Sequence, residues 1–320
     1  MKRIRVYETG PPEVMKWEET HSPEPGPGQV LMRVLAAGVN PVDTYVRAGS
    51  FGYSPELPYT PGADAAGIVE AVGEEVTTLS LGQRIYGARC VSGSYAEKAL
   101  FDEVQVHPLP ENVTFPQGAC IGIPYVTAYV ALFWKAKVQS GETVLVHGAS
   151  GGVGTASLQL AQEAGLSVFG TAGSEEGRRL AREQGAAQVL DHHDPKHFDE
   201  VLELTQGKGV NVILEMLANE NLGRDLKILA PAGRVVVIGS RGTVEIDPRD
   251  AMFRDASILG MRLRNVSKEE YAQIHTHLGV GLRSGTLCPV AGKEFPLRDA
   301  AQAHRAVMRP PAYGNIVLIP

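Results

Sequence analysis

The sequence of 320 residues is poor in cysteine and in aromatic residues, and the three cysteines are scattered. Cys90, Cys120 and Cys288 lie far apart, so the chain has no Cys-x-x-Cys pair for a zinc or redox site. A chain of this length buries a sizeable core without disulfides, and at roughly 150 residues per domain it predicts about two domains. Unbridged cysteines favour a reducing compartment, and we expect the cytoplasm.

Positive charge and long apolar runs are also lacking. There are 36 acidic and 30 basic residues, which gives a net charge of −6, whereas surfaces that bind nucleic acid or anionic membrane carry a basic excess. No apolar run reaches the ~18 residues of a membrane span. The basic start at 1–8 is not followed by the apolar stretch of a signal peptide. These absences exclude classes of protein but identify no function.

Glycine is the residue in excess, with 36 of 320 positions against a usual ~7%. The first part of the chain, 1–110, predicts mostly β-structure, because short runs rich in Val, Ile and Ala are separated by Gly and Pro clusters. Evenly spaced short strands of this kind are typical of a barrel or a sandwich. The clearest runs are Ile4–Tyr7, Val30–Ala36 and Ala66–Ala71.

The pattern changes near residue 115. Phe115–Lys137 has helical spacing, interrupted at Pro124, and strands and helices then alternate. This alternation predicts a doubly wound parallel sheet, with Ile258–Leu263 as its last strand. One helix at Lys268–Ser284 and terminal strands around Ile316–Ile319 follow. The alternating segments are strands Thr143–His147, Ser167–Thr171, Val189–Leu190, Val210–Glu215 and Arg234–Ile238, and helices Thr155–Ala164, Glu175–Gln184, Phe198–Thr205 and Leu222–Leu229.

A glycine-rich loop, 148–154, joins the first strand of this part to its first helix. Glycines let the backbone turn tightly and approach a pyrophosphate, and the helix N-terminus supplies free N–H groups with partial positive charge. No Lys-Ser/Thr pair follows, which disfavours an ATP-binding P-loop. A plain strand–helix turn would not explain four glycines in seven residues. We therefore predict a dinucleotide site.

The second strand of this part indicates which dinucleotide binds. NAD-binding proteins usually carry an acid at the end of that strand to hold the ribose 2′-OH. Here the strand ends in the small, neutral segment 170–174, and Glu175 and Glu176 belong to the next helix. This neutral strand end favours NADP, whose 2′-phosphate fits beside Gly173 and Ser174. Possible charge partners for that phosphate are Arg178, Arg179 and His192.

Together these segments resemble the medium-chain dehydrogenase/reductase superfamily, and most closely its zeta-crystallin-like quinone oxidoreductase branch. The resemblance covers essentially the whole chain. It is carried by Gly38–Tyr45, Pro58–Gly67, Ile121–Tyr125, His147–Gly154, Gly170–Gly173, Glu215–Asn219 and Gly239–Thr243.

The resemblance implies an α/β protein with a GroES-like β-barrel catalytic domain (1–123 and 264–320) and a Rossmann NADP-binding domain (124–263), with cofactor and substrate in the cleft between them. It implies that Tyr45 reaches the cofactor from the barrel domain and that Asn40 lines the pocket near the nicotinamide. The remaining implied cofactor contacts are Ser150, Gly151, Gly152 and Val153 at the pyrophosphate, Gly173 and His192 on the adenosine side, and Asn221, Ile238, Gly239, Ser240 and Arg241.

Zinc alcohol dehydrogenases of the same superfamily carry a Cys near position 40 and a His-Glu pair near 63–64. This chain has Asn40, Ala63 and Asp64 at those places, and it lacks the four cysteines of the structural zinc lobe. The set of thiolate and imidazole ligands that zinc requires is therefore missing. We expect no metal.

The resemblance implies an NADPH-dependent quinone reductase. Without a metal, catalysis would rest on placing the nicotinamide against an acceptor that takes a hydride readily. Tyr45 is a candidate proton donor, and a packing or stacking role for it is equally open. No catalytic residue is assigned, and one-electron and hydride transfer stay open.

Alternative functions are an NADPH-dependent alkenal or enoyl double-bond reductase, and, outside enzymes, an AU-rich RNA-binding protein or a structural crystallin. The net charge of −6 argues against RNA, whose backbone needs a basic track. The resemblance also implies a homo-oligomer, a dimer or a tetramer, with Ile258–Leu263 as a candidate edge strand for pairing between copies.

Overall fold

Fifteen β-strands and ten α-helices make up the computed structural model, which describes all residues from 1 to 320. The strands are β1 Lys2–Val6, β2 Met15–Glu19, β3 Gln29–Val39, β4 Ala65–Val72, β5 Arg84–Gly87, β6 Lys98–Asp102, β7 Val106–Pro108, β8 Thr143–Val146, β9 Ser167–Thr171, β10 Gln188–Leu190, β11 Val210–Glu215, β12 Leu229–Val237, β13 Ser257–Gly260, β14 Ala291–Pro296 and β15 Asn315–Ile319.

The helices are α1 Pro41–Ala48, α2 Phe115–Gly118, α3 Gly122–Tyr129, α4 Gly152–Glu163, α5 Glu175–Glu183, α6 His197–Leu204, α7 Ala218–Ile228, α8 Pro248–Met252, α9 Lys268–Ser284 and α10 Ala300–Ala306. A π-helix at Val130–Ala136 follows α3 directly. None of the helices combines the length and the apolar character that a bilayer crossing requires.

The chain divides into two compact units. The first unit holds residues 1–123, 267–310 and 314–320, and the second holds 124–266 and 311–313. The division after residue 123 falls within α3.

A seven-stranded, mostly antiparallel sheet forms the body of the first unit, with the order β14-β15-β3-β4-β5-β7 and β6 paired with β3. The long strand β3 pairs with β4 along one side, and with β6 and then β15 along the other. A separate ribbon of β1 and β2 joins the same core, which is built from alternate strand residues and side chains of α10.

A six-stranded parallel sheet forms the second unit, with the order β10-β9-β8-β11-β12-β13. The chain runs outward from β8 through β9 to β10, and then returns to the other side of β8 for β11, β12 and β13. This is the strand order of a dinucleotide-binding sheet, and it confirms the doubly wound parallel sheet predicted from the alternating pattern. The order reverses between β8 and β11, so the carboxyl ends of these strands flank the switch point where ligands bind in such sheets.

The helical region 115–137 differs from its prediction. The helix breaks at residues 119–121, between α2 and α3, and Pro124 lies inside the first turn of α3. Proline is tolerated there because the first N–H groups of a helix have no intrahelical acceptor. Pro124 therefore does not interrupt the helix.

Several helices and strands begin or end at residues other than those predicted. Helix α4 begins at Gly152, three residues early, because Gly151 is its N-cap. Helix α7 begins at Ala218 rather than at residue 222 and ends at Ile228, and β12 begins at Leu229 instead of residue 234. Strand β13 ends at Gly260, since Leu263 already belongs to a short 3-10 helix.

Three helices and a strand were missed. Helix α1 follows β3 within the region predicted to be mostly β, and α8 lies between β12 and β13. Helix α10 and strand β14 lie in the last segment, where only one helix and terminal strands were predicted. The three helices are short, at eight, five and seven residues, so their apolar periodicity covers about two turns at most.

One ion pair in the second unit connects strand β12 to the segment that precedes β8. Arg234 on β12 bonds Glu142 through both guanidinium nitrogens, at 2.7 and 2.9 Å, and its Nε and Nη2 donate to the carbonyl of Ala136 at the end of the π-helix, at 3.0 and 2.8 Å. Both charged side chains are 18% exposed, and the pair holds the pKa of Glu142 below its usual range.

We expect Arg234→Ala to lower the free energy of unfolding of the second unit by about 2–3 kcal/mol, because it removes charge-assisted bonds to Glu142 and the donors to the Ala136 carbonyl. Glu142 would keep only the N–H of Gln139. Arg179→Ala, which removes the exposed pair with Glu183, is the control and should cost below about 1 kcal/mol. Urea unfolding followed by circular dichroism measures both. Equal losses would show that the Arg234 pair is no more than a surface contact.

Candidate functional site

The glycine loop connects β8 to α4 at the switch point of the parallel sheet. Gly148 has φ +61°, a left-handed conformation that favours glycine. A Cβ on Gly154 would lie 2.3 Å from the carbonyl oxygen of Gly148, so the start of α4 packs directly on the loop backbone. Gly151, the N-cap of α4, has no atom closer to a built Cβ than 3.5 Å. The loop is thus closed on the side of Gly154, whereas a Cβ on Gly151 would fit in ordinary van der Waals contact with the carbonyl oxygen of Gly148.

This geometry fits a pyrophosphate. The N-cap has no side chain that caps the helix, so the first N–H groups of α4 lack the side-chain acceptor that a Ser or Asp would provide. An anion placed there takes up these donors and is stabilised by the helix dipole. Ser150 is buried beside Gly151, and Gly152 and Val153 form the first turn of the helix.

The segment after β9 is the second part of the site. A Cβ on Gly173 would lie 2.4 Å from Nε2 of His192 and 2.6 Å from Nε2 of His193, so two imidazole edges converge on this glycine. Ser174 caps α5 by accepting a hydrogen bond from the backbone N–H of Gly177, at 3.1 Å. His192 thus lies beside the glycine with which it was predicted to act, and His193 is an additional neighbour.

The two arginines considered as partners of a 2′-phosphate already have carboxylate partners. Arg178 bonds Asp191 at 2.8 Å and Glu175 at 3.0 Å, and Arg179 bonds Glu183 at 3.1 Å. Arg178 is therefore tied to the segment that precedes His192, whereas Arg179 is tied to its own helix.

The third part of the site lies where β11 and β12 end. The backbone N–H groups of Ile238 and Gly239 donate to the carbonyl of Glu215, at 2.9 and 3.2 Å. The N–H of Arg241 donates to Oδ1 of Asn219 at 2.8 Å. These bonds fix the segment 238–241 against the end of β11. It is not a hairpin turn, because β12 pairs with β11 and β13 in parallel.

Asn221 lies on the first turns of α7 and is half-buried. Its side-chain nitrogen donates to Oε1 of Glu215 at 3.4 Å, and the N–H of Leu217 donates to the same oxygen. The glycine loop, the end of β9, Asn221 and 238–241 thus lie at the carboxyl edge of four neighbouring strands, β9, β8, β11 and β12.

A buried polar cluster lies directly below these loops. Nε2 of His147 is 2.8 Å from Oδ1 of Asp225 and 3.5 Å from Oε2 of Glu215, and the two carboxyl side chains are fully buried. Burial lowers the pKa of His147, but the attraction of Asp225 and Glu215 outweighs this and the pKa is raised. Burial, and then the nearby Asp225, raise the pKa of Glu215 to about 8.

Asn40, in the first unit, follows β3 and is the N-cap of α1. Its side chain is buried and donates to Oδ2 of Asp64 at 2.9 Å, and its backbone N–H donates to Oδ2 of Asp43 at 2.8 Å. Asp64 also accepts from the N–H of Ile123 at 2.9 Å. Burial raises the pKa of both Asp43 and Asp64 to about 7. Asn40 is thus part of a fixed polar network and not a loosely held pocket residue.

Tyr45, also on α1, is half-buried and packs edge-to-face against the exposed Phe51, with ring centroids 5.0 Å apart. No hydrogen bond fixes its hydroxyl. The two residues form an aromatic pair at the end of α1 and the turn that follows.

Sequence reasoning missed the acids and imidazoles that hold these loops. His147, Glu215 and Asp225 had no assigned role, and neither did Asp43. One signal was available: Glu215 directly follows the apolar run Val212–Leu214, where a charged residue must be paired or neutral. Asp225 carried no such signal, because an acid in a helix is usually solvent-exposed.

Two family models match the chain. Residues 26–111 match the alcohol dehydrogenase GroES-like domain, and residues 152–278 match a domain described as zinc-binding dehydrogenase. The two matches lie largely in the first and the second unit respectively. They confirm the predicted fold class, a GroES-like domain with a Rossmann-type parallel sheet.

Similar proteins cover the whole length. A quinone oxidoreductase of Mus musculus is 50% identical over 312 residues, covering 96% of this chain and 94% of its own. The structure of an Escherichia coli quinone oxidoreductase complexed with NADPH superposes with a TM-score of 0.90 at 28% identity, with both chains fully covered. The structure of the CurK enoyl reductase has a TM-score of 0.89 at 27% identity and covers 99% of this chain and 98% of that one. The chain belongs to the quinone oxidoreductase family of the medium-chain dehydrogenases/reductases and is an oxidoreductase.

We expect two alanine substitutions in the glycine loop to have different effects. Gly154→Ala should lower stability by about 1–3 kcal/mol and also weaken NADPH binding, because its Cβ meets backbone. Gly151→Ala should leave stability unchanged, because its Cβ fits without a clash. It should weaken NADPH binding roughly tenfold or more, because the added methyl group lies at the N-terminus of α4, where the pyrophosphate is expected. Urea unfolding and NADPH fluorescence titration separate the two effects.

Gly26→Ala, in the first unit, is the matched control, since a Cβ there meets only the side chain of Gln29, at 3.5 Å. It should change neither quantity. Unchanged NADPH affinity in Gly151→Ala would place the pyrophosphate elsewhere.

Proposed function

We propose that this protein is an NADPH-dependent quinone reductase. The observation that carries the proposal is the glycine loop, which lies at the switch point of the sheet, leaves the N-terminus of α4 without a side-chain cap and is continued by a neutral strand end at Gly173. The whole-length likeness to quinone oxidoreductases supports the acceptor class. The NADPH complex of the E. coli relative supports the cofactor.

The cofactor site that we propose follows the carboxyl edge of the parallel sheet. The pyrophosphate would be held by Ser150–Val153, and the 2′-phosphate would lie beside Gly173 and His192. Asn221 and the segment 238–241 would complete the site. NADP is favoured over NAD because no acid stands at the end of β9, where it would repel a 2′-phosphate.

NADPH, when bound, supplies the hydride, and the protein must orient the acceptor and exclude water. Asn40 and Tyr45 remain the candidates for the substrate pocket. We propose that the reaction needs no zinc, because the amide of Asn40 occupies the place of a ligand cysteine and is already bonded to Asp64. Such a buried amide–carboxyl pair is a structural link and not a soft ligand set.

A double-bond reductase is the second candidate, and the likeness to the CurK enoyl reductase favours it. Both reactions deliver a hydride from the same cofactor, and they differ in the shape of the acceptor.

The first test is an acceptor panel. We expect NADPH oxidation with 1,2-naphthoquinone and 1,4-benzoquinone, little turnover of a short 2-alkenal, and kcat/KM at least about tenfold lower with NADH, because NADH lacks the charge-assisted contacts of the phosphate. Turnover of the alkenal without turnover of quinones would make the protein a double-bond reductase.

A pair of variants sharpens the cofactor assignment. His192→Ala should lower kcat/KM with NADPH and leave the value with NADH unchanged. His21→Ala, another exposed histidine, is the matched control and should change neither. Equal losses with both cofactors would contradict a contact to the 2′-phosphate.

We propose a homo-oligomer in which β13 pairs with β13 of a second copy. This strand is the edge of the parallel sheet, so one row of its backbone groups is unpaired. Ile258 on the strand is 40% exposed, and the neighbouring Met252 and Phe253 are 70% and 79% exposed. An apolar patch beside an unpaired strand fits a two-fold interface between identical chains. None of the three cysteines is in a disulfide, which fits the proposed cytoplasmic compartment.

We expect the double variant Phe253→Asp with Ile258→Lys to sediment at a lower mass than the wild-type protein, because it places charges in the apolar patch. Val104→Asp, at an exposed valine of the first unit, is the control and should keep the wild-type mass. Analytical ultracentrifugation measures all three proteins. An unchanged mass for the double variant would exclude β13 as the interface.

A further inference from the structure

The buried cluster of His147, Glu215 and Asp225 connects three loops of the proposed cofactor site. Oε1 of Glu215 accepts from Leu217 and from the side chain of Asn221, and its backbone carbonyl accepts from 238 and 239. A single residue therefore holds both the start of α7 and the loop after β12.

The same cluster reaches the glycine loop through His147. Nδ1 of this ring lies 3.4 Å from Oγ1 of Thr171, and that hydroxyl oxygen accepts from the N–H of Gly148 at 3.2 Å. Thr171 ends β9, immediately before the segment that leads to Gly173. Through the side chains of His147 and Thr171, the cluster thus contacts the glycine loop and the end of β9 on the adenosine side.

The pairing of two buried carboxyl groups favours a proton on Glu215. Oε2 of Glu215 and Oδ2 of Asp225 are both buried without a hydrogen-bond partner. Two adjacent, fully buried carboxylates would repel each other at a high cost in free energy. A proton on Oε2 of Glu215 allows it to donate to Asp225, while Oε1 remains an acceptor for the loop. Burial and the nearby Asp225 keep the pKa of Glu215 at about 8, so the acid is neutral at neutral pH.

We propose that Glu215, in its protonated form, is a positioning residue of the cofactor site. It fixes the positions of Asn221 and of the loop after β12 by hydrogen bonds, and His147 and Asp225 hold its side chain in place. The inference rests on the proposed NADPH site. Ionisation of Glu215 places a second buried carboxylate beside Asp225. We expect the repulsion between the two to move the Glu215 side chain, which breaks its bonds to Leu217 and Asn221 and weakens cofactor binding.

The charged and titratable groups around Glu215 are few. His147 and Asp225 face it directly. Arg224 on α7 lies over the ring of Phe198 at 4.5 Å, and His197 on α6 faces His147 with ring centroids 6.5 Å apart. Burial lowers the pKa of His197, so this group stays neutral above pH 7. His147 and Glu215 are the two groups that variants must separate.

The experiment is a direct fluorescence titration of NADPH from about pH 7 to pH 9 on the full-length protein. We expect the wild-type Kd to rise roughly tenfold over this range, because the neutral fraction of an acid with a pKa near 8 falls by that factor. Glu215→Gln should bind like the wild-type protein at pH 7 and show no such rise, because the amide accepts and donates as the neutral acid does. Glu215→Leu should bind at least about tenfold more weakly at pH 7, because Leu217 and Asn221 lose their acceptor.

His147→Gln identifies the titrating group. The cation of His147 lowers the pKa of Glu215, so this variant, titrated up to about pH 10.5, should keep the rise in Kd but move it to higher pH. Loss of the rise in His147→Gln would assign the titration to the histidine and overturn the proposal. Glu203→Gln, at an exposed acid of α6, is the control and should follow the wild-type curve.

Two results separate this inference from the function on which it rests. No NADPH binding by the wild-type protein at any pH would contradict the proposed function. Normal binding with equal, flat pH profiles in the wild-type protein and Glu215→Gln would overturn only the role of Glu215. A stoichiometric divalent metal in the purified protein that Glu215→Gln loses would also overturn it, because a metal would then replace the shared proton.

Discussion

The packing of α4 against the loop that precedes it is the constraint on which the second unit depends. The start of the helix lies so close to the carbonyl of Gly148 that Gly154 has no room for a side chain. This contact fixes where the helix axis begins and directs its first N–H groups to the edge of the sheet. A helix held farther from β8 would still cover the sheet, but its N-terminus would not meet an anion at the switch point.

The parallel sheet extends this local arrangement into a continuous site. Since β9, β8, β11 and β12 are neighbours, segments far apart in the chain reach one edge together. The polar cluster then joins them by hydrogen bonds: His147 and Asp225, 78 residues apart, meet at 2.8 Å. Rigid loops of this kind are pre-organised, which reduces the entropy that a ligand must overcome on binding.

Whether a feature could be predicted depends on how far apart in the sequence the residues that form it lie. The alternation of strands and helices and the glycine loop are local patterns, and both were predicted. Segments with weak periodicity were missed, such as α1 and the early start of α7. Pro124 was predicted to interrupt a helix because proline usually does so, but proline is tolerated in the first turn, where Pro124 lies. Contacts such as those of Asp225 depend on the completed sheet, so no local pattern could predict them.

Both units use the same physical solution to hold loops. In the first unit Asp64 accepts hydrogen bonds from Asn40 and Ile123, and in the second Glu215 accepts from Leu217 and Asn221. Burial raises the pKa of these acids to about 7 and about 8. A buried carboxyl group near neutrality combines one strong acceptor with one donor and carries little net charge, whereas a full carboxylate would require a buried cation. The backbone near the candidate cofactor and substrate residues is therefore held by acids whose protonation state is part of the fold.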